Sequence, residues 1–158
     1  MLKAHVKITE HNEKLKKLKE RLKGIKKAYV SIGVHEDAGE YEGGLEVFQV
    51  ALWNEFGTET IPARSFFRST LAEHEADINH WRADLLKEVI EGKITVQKAL
   101  STIGFRVREL IKNKINSNVP PENAPSTVAK KKAEGVAPRT LVETGLLLRS
   151  IEFKVVLE

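Results

Sequence analysis

Apolar and polar residues alternate over residues 3–9, with Ala4, Val6 and Ile8 on one side and Lys3, His5, Lys7 and Thr9 on the other, the period-two pattern of a half-buried strand. From Asn12, a candidate N-cap, Leu15, Leu18, Leu22 and Ile25 recur at spacings of three and four, which predicts a helix with an apolar stripe beneath a basic face. Gly24 weakens that helix and helps to stop it. Residues 28–35 alternate again and are rich in β-branched side chains, Val30, Ile32 and Val34 facing away from Tyr29, Ser31, Gly33 and His35, so a second strand is expected there. Residues 37–44 hold three Gly and three acids and read as a turn. Beyond it, Leu45, Phe48, Leu52 and Phe56 mark the inward face of a helix that stops at Gly57, a residue free to take the left-handed conformation.

Pro62 fixes its own φ and pushes Ile61 towards an extended backbone, so residues 58–64 make a turn rather than continue the helix. Ser65 is placed to cap the next helix, and Phe67, Leu71, Ile78, Trp81, Leu85 and Val89 then repeat at three, four or seven through residue 91. Gly92-Lys93 breaks this helix, and Thr95 caps another whose stripe is Val96, Leu100, Ile103, Val107, Leu110 and Ile115; the pair predicts a helical hairpin. Gly104, inside the second helix, costs about 1 kcal/mol relative to Ala and so points to a close approach, with an aromatic of the 66–91 helix as the expected neighbour. Residues 118–139 carry four Pro and three consecutive Lys without a periodic apolar face and are expected to form an extended arm that orders on a partner. A short helix follows over 140–150, with Thr144 as N-cap and Leu147 or Leu148 turned inward. Ile151, Phe153, Val155 and Leu157 then alternate as a last strand. These elements predict one α+β domain over residues 1–158, a small antiparallel or mixed sheet packed with a long helical hairpin and shorter helices, extended by a basic strand-helix at 1–27 and the Pro-rich arm at 118–139.

Composition narrows the chemistry. The 158 residues contain no Cys, which removes disulfides, thiolate catalysis and Cys-based zinc sites. No apolar run approaches the roughly 20 residues that span a bilayer, and no membrane partner is expected. The net charge of +4 hides a segregation: residues 12–27 carry eight Lys or Arg against two Glu, whereas residues 28–60 carry seven acids and no Lys or Arg. Such a split suits subunits that dock head-to-tail, unless the fold brings the two segments together. The basic helix also has a nucleic-acid reading, against which Lys outnumbers Arg and no aromatic is interleaved for stacking. His35-Glu36-Asp37, a consecutive trio at a strand end, cannot easily point its side chains at one ion, and the Glu73, Asp77, His80, Asp84 flank, formally a cluster a metal could use, has neither a His-Glu-x-x-His pair nor a second helix with matching ligands, so both read as hydrated surface. Neither a nucleophile elbow, nor a phosphate-binding Gly-rich loop, nor a carboxylate pair with a substrate logic is found, so no catalytic, metal or cofactor-binding residues are assigned.

Four stretches, in order, carry a resemblance. They are Val30-Ser31-Ile32-Gly33-Val34-His35; Asn54-Glu55-Phe56-Gly57-Thr58 with Ile61-Pro62-Ala63-Arg64-Ser65-Phe66-Phe67-Arg68; Asn123-Ala124-Pro125-Ser126-Thr127; and Leu141-Val142-Glu143-Thr144-Gly145 with Leu148-Arg149-Ser150-Ile151. With their spacing they resemble the head–tail joining proteins of tailed bacteriophages, called tail-completion, neck or virion-morphogenesis proteins. Ser65-Phe66 stands where that family usually has Pro-Phe, and Thr140 where a Pro often precedes the Leu of Leu-x-x-Thr-Gly. The resemblance implies an α+β structural virion protein without catalysis, forming a homo-oligomeric ring, with a hexamer favoured, that joins the portal-side connector to the tail. Its implied neighbours are connector and tail-terminator or tail-tube proteins, with phage DNA passing through the lumen, and its implied location is the virion neck or tail, after assembly in the host cytoplasm. Among the motif residues, Arg64, Arg68 and Arg149 are expected to make the charge-assisted bonds that fix loops or subunits, with the acidic 36–59 region as one partner.

Overall fold

Two short strands from opposite ends of the sequence form the ribbon on which the helices assemble. The computed structural model describes residues 7–157, with side chains described from Glu13 onward. Strand β1, Tyr29–Val34, pairs antiparallel with β2, Ile151–Val156, in a register running from Tyr29 opposite Val156 to Val34 opposite Ile151. The helices, in chain order, are α1 (Lys7–Lys27), α2 (Val47–Phe56), α3 (Phe67–Glu73), α4 (Glu75–Glu91), α5 (Val96–Asn116), α6 (Pro125–Ala133) and α7 (Leu146–Ser150). Among the described residues the sheet has only these two strands, so the fold is α+β with the helices dominant.

Helix α5 lies across one face of the ribbon because its apolar residues repeat at every fourth position: Ile103, Val107, Ile111 and Ile115 are all buried. They meet Val47 and Ala51 of α2, Phe66, Val119, Leu147 and Ile151 in one core. Helices α4 and α5 form the expected hairpin, α4 ending at Gly92 with φ 76° and ψ 22° and α5 starting at Thr95, whose hydroxyl accepts from the Lys98 N–H at 3.1 Å. Gly104 does mark a close approach, but to the sheet and not to the 66–91 segment. A Cβ at this position would lie 2.6 Å from Cδ2 of Phe153 and 2.9 Å from Cγ2 of Val30.

Several expectations fail for identifiable reasons. The strand proposed at 3–9 lies partly outside the described residues, and its last three, Lys7 to Thr9, belong to α1; Asn12 is therefore interior to a helix rather than its cap, and Gly24 is passed without a break. The inward face of α2 is Val47, Ala51 and Glu55, not Leu45, Phe48, Leu52 and Phe56. Phe48 and Leu52 are half-buried beside the ribbon, while Phe56 is 59% exposed beneath the Arg68 guanidinium, 4.5 Å from its ring centroid. The long helix over 66–91 is two helices, divided at His74, where φ −112° and ψ 18° end α3 before α4 resumes. Its predicted stripe survives the break, since Phe67, Leu71, Ile78, Trp81 and Leu85 all pack against the core.

The Gly104 contact yields a stability test. Overpacking costs about 1–3 kcal/mol, against about 1 kcal/mol gained in helix propensity, so Gly104→Ala is expected to lower the denaturant midpoint despite Ala being the better helix former. The same substitution at Gly24, whose added Cβ would meet only Val96 at 3.8 Å, is expected to raise it.

Candidate functional site

The 54–68 segment is organised by a single carboxylate. Residues 58–64 turn the chain back so that the first N–H groups of α3 point at the last turn of α2. The Glu55 side chain, on a residue only 5% exposed, fills that gap. It accepts from the N–H groups of Phe66 (2.9 Å), Phe67 (2.9 Å) and Arg68 (3.0 Å), from the Ser65 hydroxyl (2.7 Å) and from Nε of Arg68 (2.9 Å). A helix N-terminus presents unpaired N–H groups and the positive end of the helix dipole, and an anion satisfies both. Ser65, the expected cap, instead donates to Glu55 and accepts from the Ser69 N–H. Burial on its own would raise the Glu55 carboxyl; the bonds from Phe67, Ser65 and Arg68 outweigh it and hold the group below its ordinary value.

Around this cap, the other motif residues shape the turn. Gly57 has φ 79° but ψ 170°, not the left-handed helix-ending conformation, and its N–H reaches the Trp53 carbonyl at 2.8 Å. A Cβ there would lie 2.9 Å from the Ala63 nitrogen, so the turn closes too tightly for a side chain. The Thr58 hydroxyl accepts from the N–H groups of Thr60 and Ile61, the Asn54 amide donates to the Val50 carbonyl, and the Asn54 carbonyl accepts from the Arg64 N–H at 2.6 Å. Pro62 is exposed at the outside of the turn, and Ile61 is half-buried.

Arg64 carries the connection outward. It is 7% exposed and has no carboxylate partner among the described residues. Its Nε donates to the Pro121 carbonyl at 2.7 Å and its Nη2 to the Glu122 carbonyl at 3.1 Å. The segment expected to be a loose arm is thereby tied to the body. Asn118 accepts through Oδ1 from the Thr140 N–H (2.8 Å) and hydroxyl (3.2 Å), and Asn123 donates to the Pro138 and Arg139 carbonyls. Pro125 opens α6 as its first residue, with Ser126 and Thr127 exposed on its first turn. Lys131, the middle of the three consecutive lysines in the expected arm, is 5% exposed and donates to the Arg139 and Val142 carbonyls at 2.9 and 2.8 Å. Burial pushes its ammonium below the ordinary value; Glu143 opposes that shift and Arg64 adds to it.

Three of the four motif-bearing stretches meet at one cavity of about 380 Å³, whose walls include Asn54, Arg64, Asn123, Thr127, Lys131 and Glu143. Thr144, next to the wall residue Glu143, is not a conventional helix cap; its hydroxyl accepts from the Leu146 N–H at 3.2 Å while Gly145, at φ 75°, turns the chain into α7. Arg149 donates to the Thr144 carbonyl at 3.2 Å, Leu147 rather than Leu148 is the buried residue, and Leu148 and Ser150 are half-buried. Of the three arginines expected to fix loops or subunits by charge-assisted bonds, with the acidic 36–59 region as one partner, Arg68 bonds Glu55 of that region, whereas Arg64 and Arg149 hold loop carbonyls. Lys131, Asn118 and Thr140 were not legible as site residues, because each acts on a backbone group distant in sequence.

Catalytic geometry is thin. His35 Nε2 lies 3.2 Å from Ser31 Oγ, but the Asp37 carboxylate is bound by Lys154 at 2.6 and 2.8 Å, and among the described residues no carboxylate bonds the His35 ring. His80 and Asp84 pair at 3.4 Å and His74 and Asp77 at 3.5 Å on exposed helix surface, and among the described residues no three His, Asp or Glu converge as metal ligands. No described helix is long and apolar enough to cross a membrane. Compared with protein-family models, curated proteins and solved structures, the chain matches none.

Two substitutions test this site. Glu55→Gln replaces an all-acceptor group by one that turns an N–H2 towards donors, and a loss of about 2–4 kcal/mol is expected in urea unfolding. Because the folded-state carboxyl is lowered, its contribution is present above the ordinary value of 4.5 and is lost as pH falls through the depressed one. The wild-type protein is therefore expected to lose stability in that acid window while the Gln variant loses less. Arg64→Met strips two carbonyls of their donors, and limited proteolysis is expected to show faster cleavage within 118–139.

Proposed function

We propose that the chain is a structural, non-catalytic protein of a tailed-phage or prophage virion, forming a homo-oligomeric ring at the head–tail interface that joins the portal-side connector to the tail. The observation that carries the proposal is the convergence just described. Segments that resemble the joining family, spread from Asn54 to Ser150, form one continuous body through Glu55, Arg64 and Asn123 rather than separate surface loops. That arrangement suits a protein whose task is to present fixed loops to neighbours. Rigid loops lose little conformational entropy on docking, and a ring of repeated heterologous contacts multiplies the advantage. A hexamer is the favoured ring, with connector and tail-tube or terminator proteins on its two sides and DNA passing through its lumen.

Electron microscopy of the purified protein, alone and mixed with tail tubes ending in an open ring, tests this reading. Rings capping the tube ends are expected; bare tube ends at every protein concentration would sink it. A nucleic-acid reading has its own support in the exposed lysines of α1; Lys16, Lys17 and Lys19 are among those with no ion-pair partner among the described residues, while Arg21 is committed to the Ile90 carbonyl at 2.9 Å. It predicts salt-sensitive retention of duplex DNA that is lost when those three lysines are neutralised.

A further inference from the structure

Helix α1 is only half used by the fold. Leu18 is half-buried, Ile25 lies beside Val89 of α4 and Val96 of α5, and Arg21 anchors the helix to the end of α4, but Leu15 and Leu22 remain 47% and 43% exposed. Residues 15, 19, 22 and 26 fall at i, i+4, i+7 and i+11, one face of a helix, so the exposed leucines alternate with exposed Lys19 and Lys26 along a single stripe. Neither lysine has an ion-pair partner among the described residues, where the sole ion pair of α1 is Lys23 with Glu20.

The acidic stretch is elsewhere. Helix α1 ends at the start of β1, and the acids begin at Glu36, past its end, about 20 Å on for six residues of strand. There residues 39–47 close a tight loop, with the Tyr41 N–H on the Leu45 carbonyl (2.8 Å), the Gly44 N–H on the Tyr41 carbonyl (3.1 Å) and the Val47 N–H on the Gly39 carbonyl (3.1 Å). This ordered loop presents Leu45, 39% exposed, among Glu40, Glu42 and Glu46, none of which is ion-paired among the described residues. Helix α1 packs on α4 and α5, and among the described residues no ion pair joins it to the acids of 36–46.

We propose that the Leu15, Lys19, Leu22, Lys26 stripe of one copy receives the acidic 40–46 loop of a second copy, with Leu45 against the leucines and the glutamates beside the lysines. The contact is heterologous, since stripe and loop sit on different parts of each copy, and repeating it generates a ring or a filament according to whether the rotation closes. Opposite charges steer the encounter and fix its register, while the apolar residues at the centre supply burial. The assignment rests on the ring reading above and adds to it which surfaces meet.

Charge reversal tests it. Lys19→Glu with Lys26→Glu, and separately Glu42→Lys with Glu46→Lys, alter exposed positions, and circular dichroism is expected to show an unchanged fold. Light scattering is expected to show the wild-type protein associating at low salt and weakening from about 50 to about 500 mM, and each variant alone weakened about ten-fold or more. Mixing the two variants, or combining all four substitutions in one chain, is expected to restore association. A wild-type protein that stays monomeric at low salt overturns the proposal. Association unaffected by either reversal overturns it too, yet leaves the ring reading standing on other surfaces. If the lysine reversals abolish retention of duplex DNA while assembly is unchanged, the stripe is a nucleic-acid contact and the proposal falls.

Discussion

The interaction on which the rest depends is a carboxylate at the wrong end of one helix serving the right end of another. Glu55 sits in the last turn of α2, where the carbonyl end of the helix disfavours negative charge, and it is buried. Both costs are offset because five donors converge on its two oxygens, three of them the N–H groups that α3 cannot satisfy internally. The bond network fixes the angle between α2 and α3, and with it the path of the 58–64 turn. Arg68 completes the arrangement by bonding both the carboxylate and the Glu55 carbonyl while its guanidinium covers Phe56.

From that turn the structure extends through cations that hold backbone rather than acids. Arg64 grips carbonyls of 121 and 122, and Lys131 grips those of 139 and 142. A buried cation without a carboxylate is expensive, as the lowered values of both groups reflect. What it secures is definition in a Pro-rich stretch with little apolar periodicity. Thr140, 1% exposed, bonds Asn118 and the Val119 carbonyl and closes the segment on itself. Local stiffness of this kind favours a role in presenting loops to neighbours, the role proposed for this chain.

The charge distribution has the opposite character, since it leaves surfaces unsatisfied. Where core and loops satisfy nearly every polar group, with no buried side-chain nitrogen or oxygen lacking a partner among the described residues, α1 and the 40–46 loop keep their charges and several leucines open to solvent. Exposed charge by itself is ordinary. Two ordered surfaces of opposite charge, not ion-paired to one another among the described residues and each with apolar residues among the charges, are the physical basis for the proposed self-association.

The sequence by itself determined whatever depends on a short window of chain. Strands β1 and β2, the apolar face of α4, the stop at Gly92 and the cap at Thr95 were all legible, and so was the face of α5 except that Leu110 was placed on it in place of the fully buried Ile111, because periodicity and capping act between residues a few positions apart. The 54–68 stretch was legible as a helix, a turn and a helix, but the cap was assigned to Ser65, the neighbour in sequence, when the group that reaches the N–H donors is ten residues or more away. The same limit hid Lys131 in a run of lysines, made an arm of 118–139, and aimed α2 by its largest apolar residues instead of by Val47, Ala51 and Glu55. Only the tertiary structure decided these points, because each turns on which distant backbone group a side chain meets once the α5 face has closed over the ribbon.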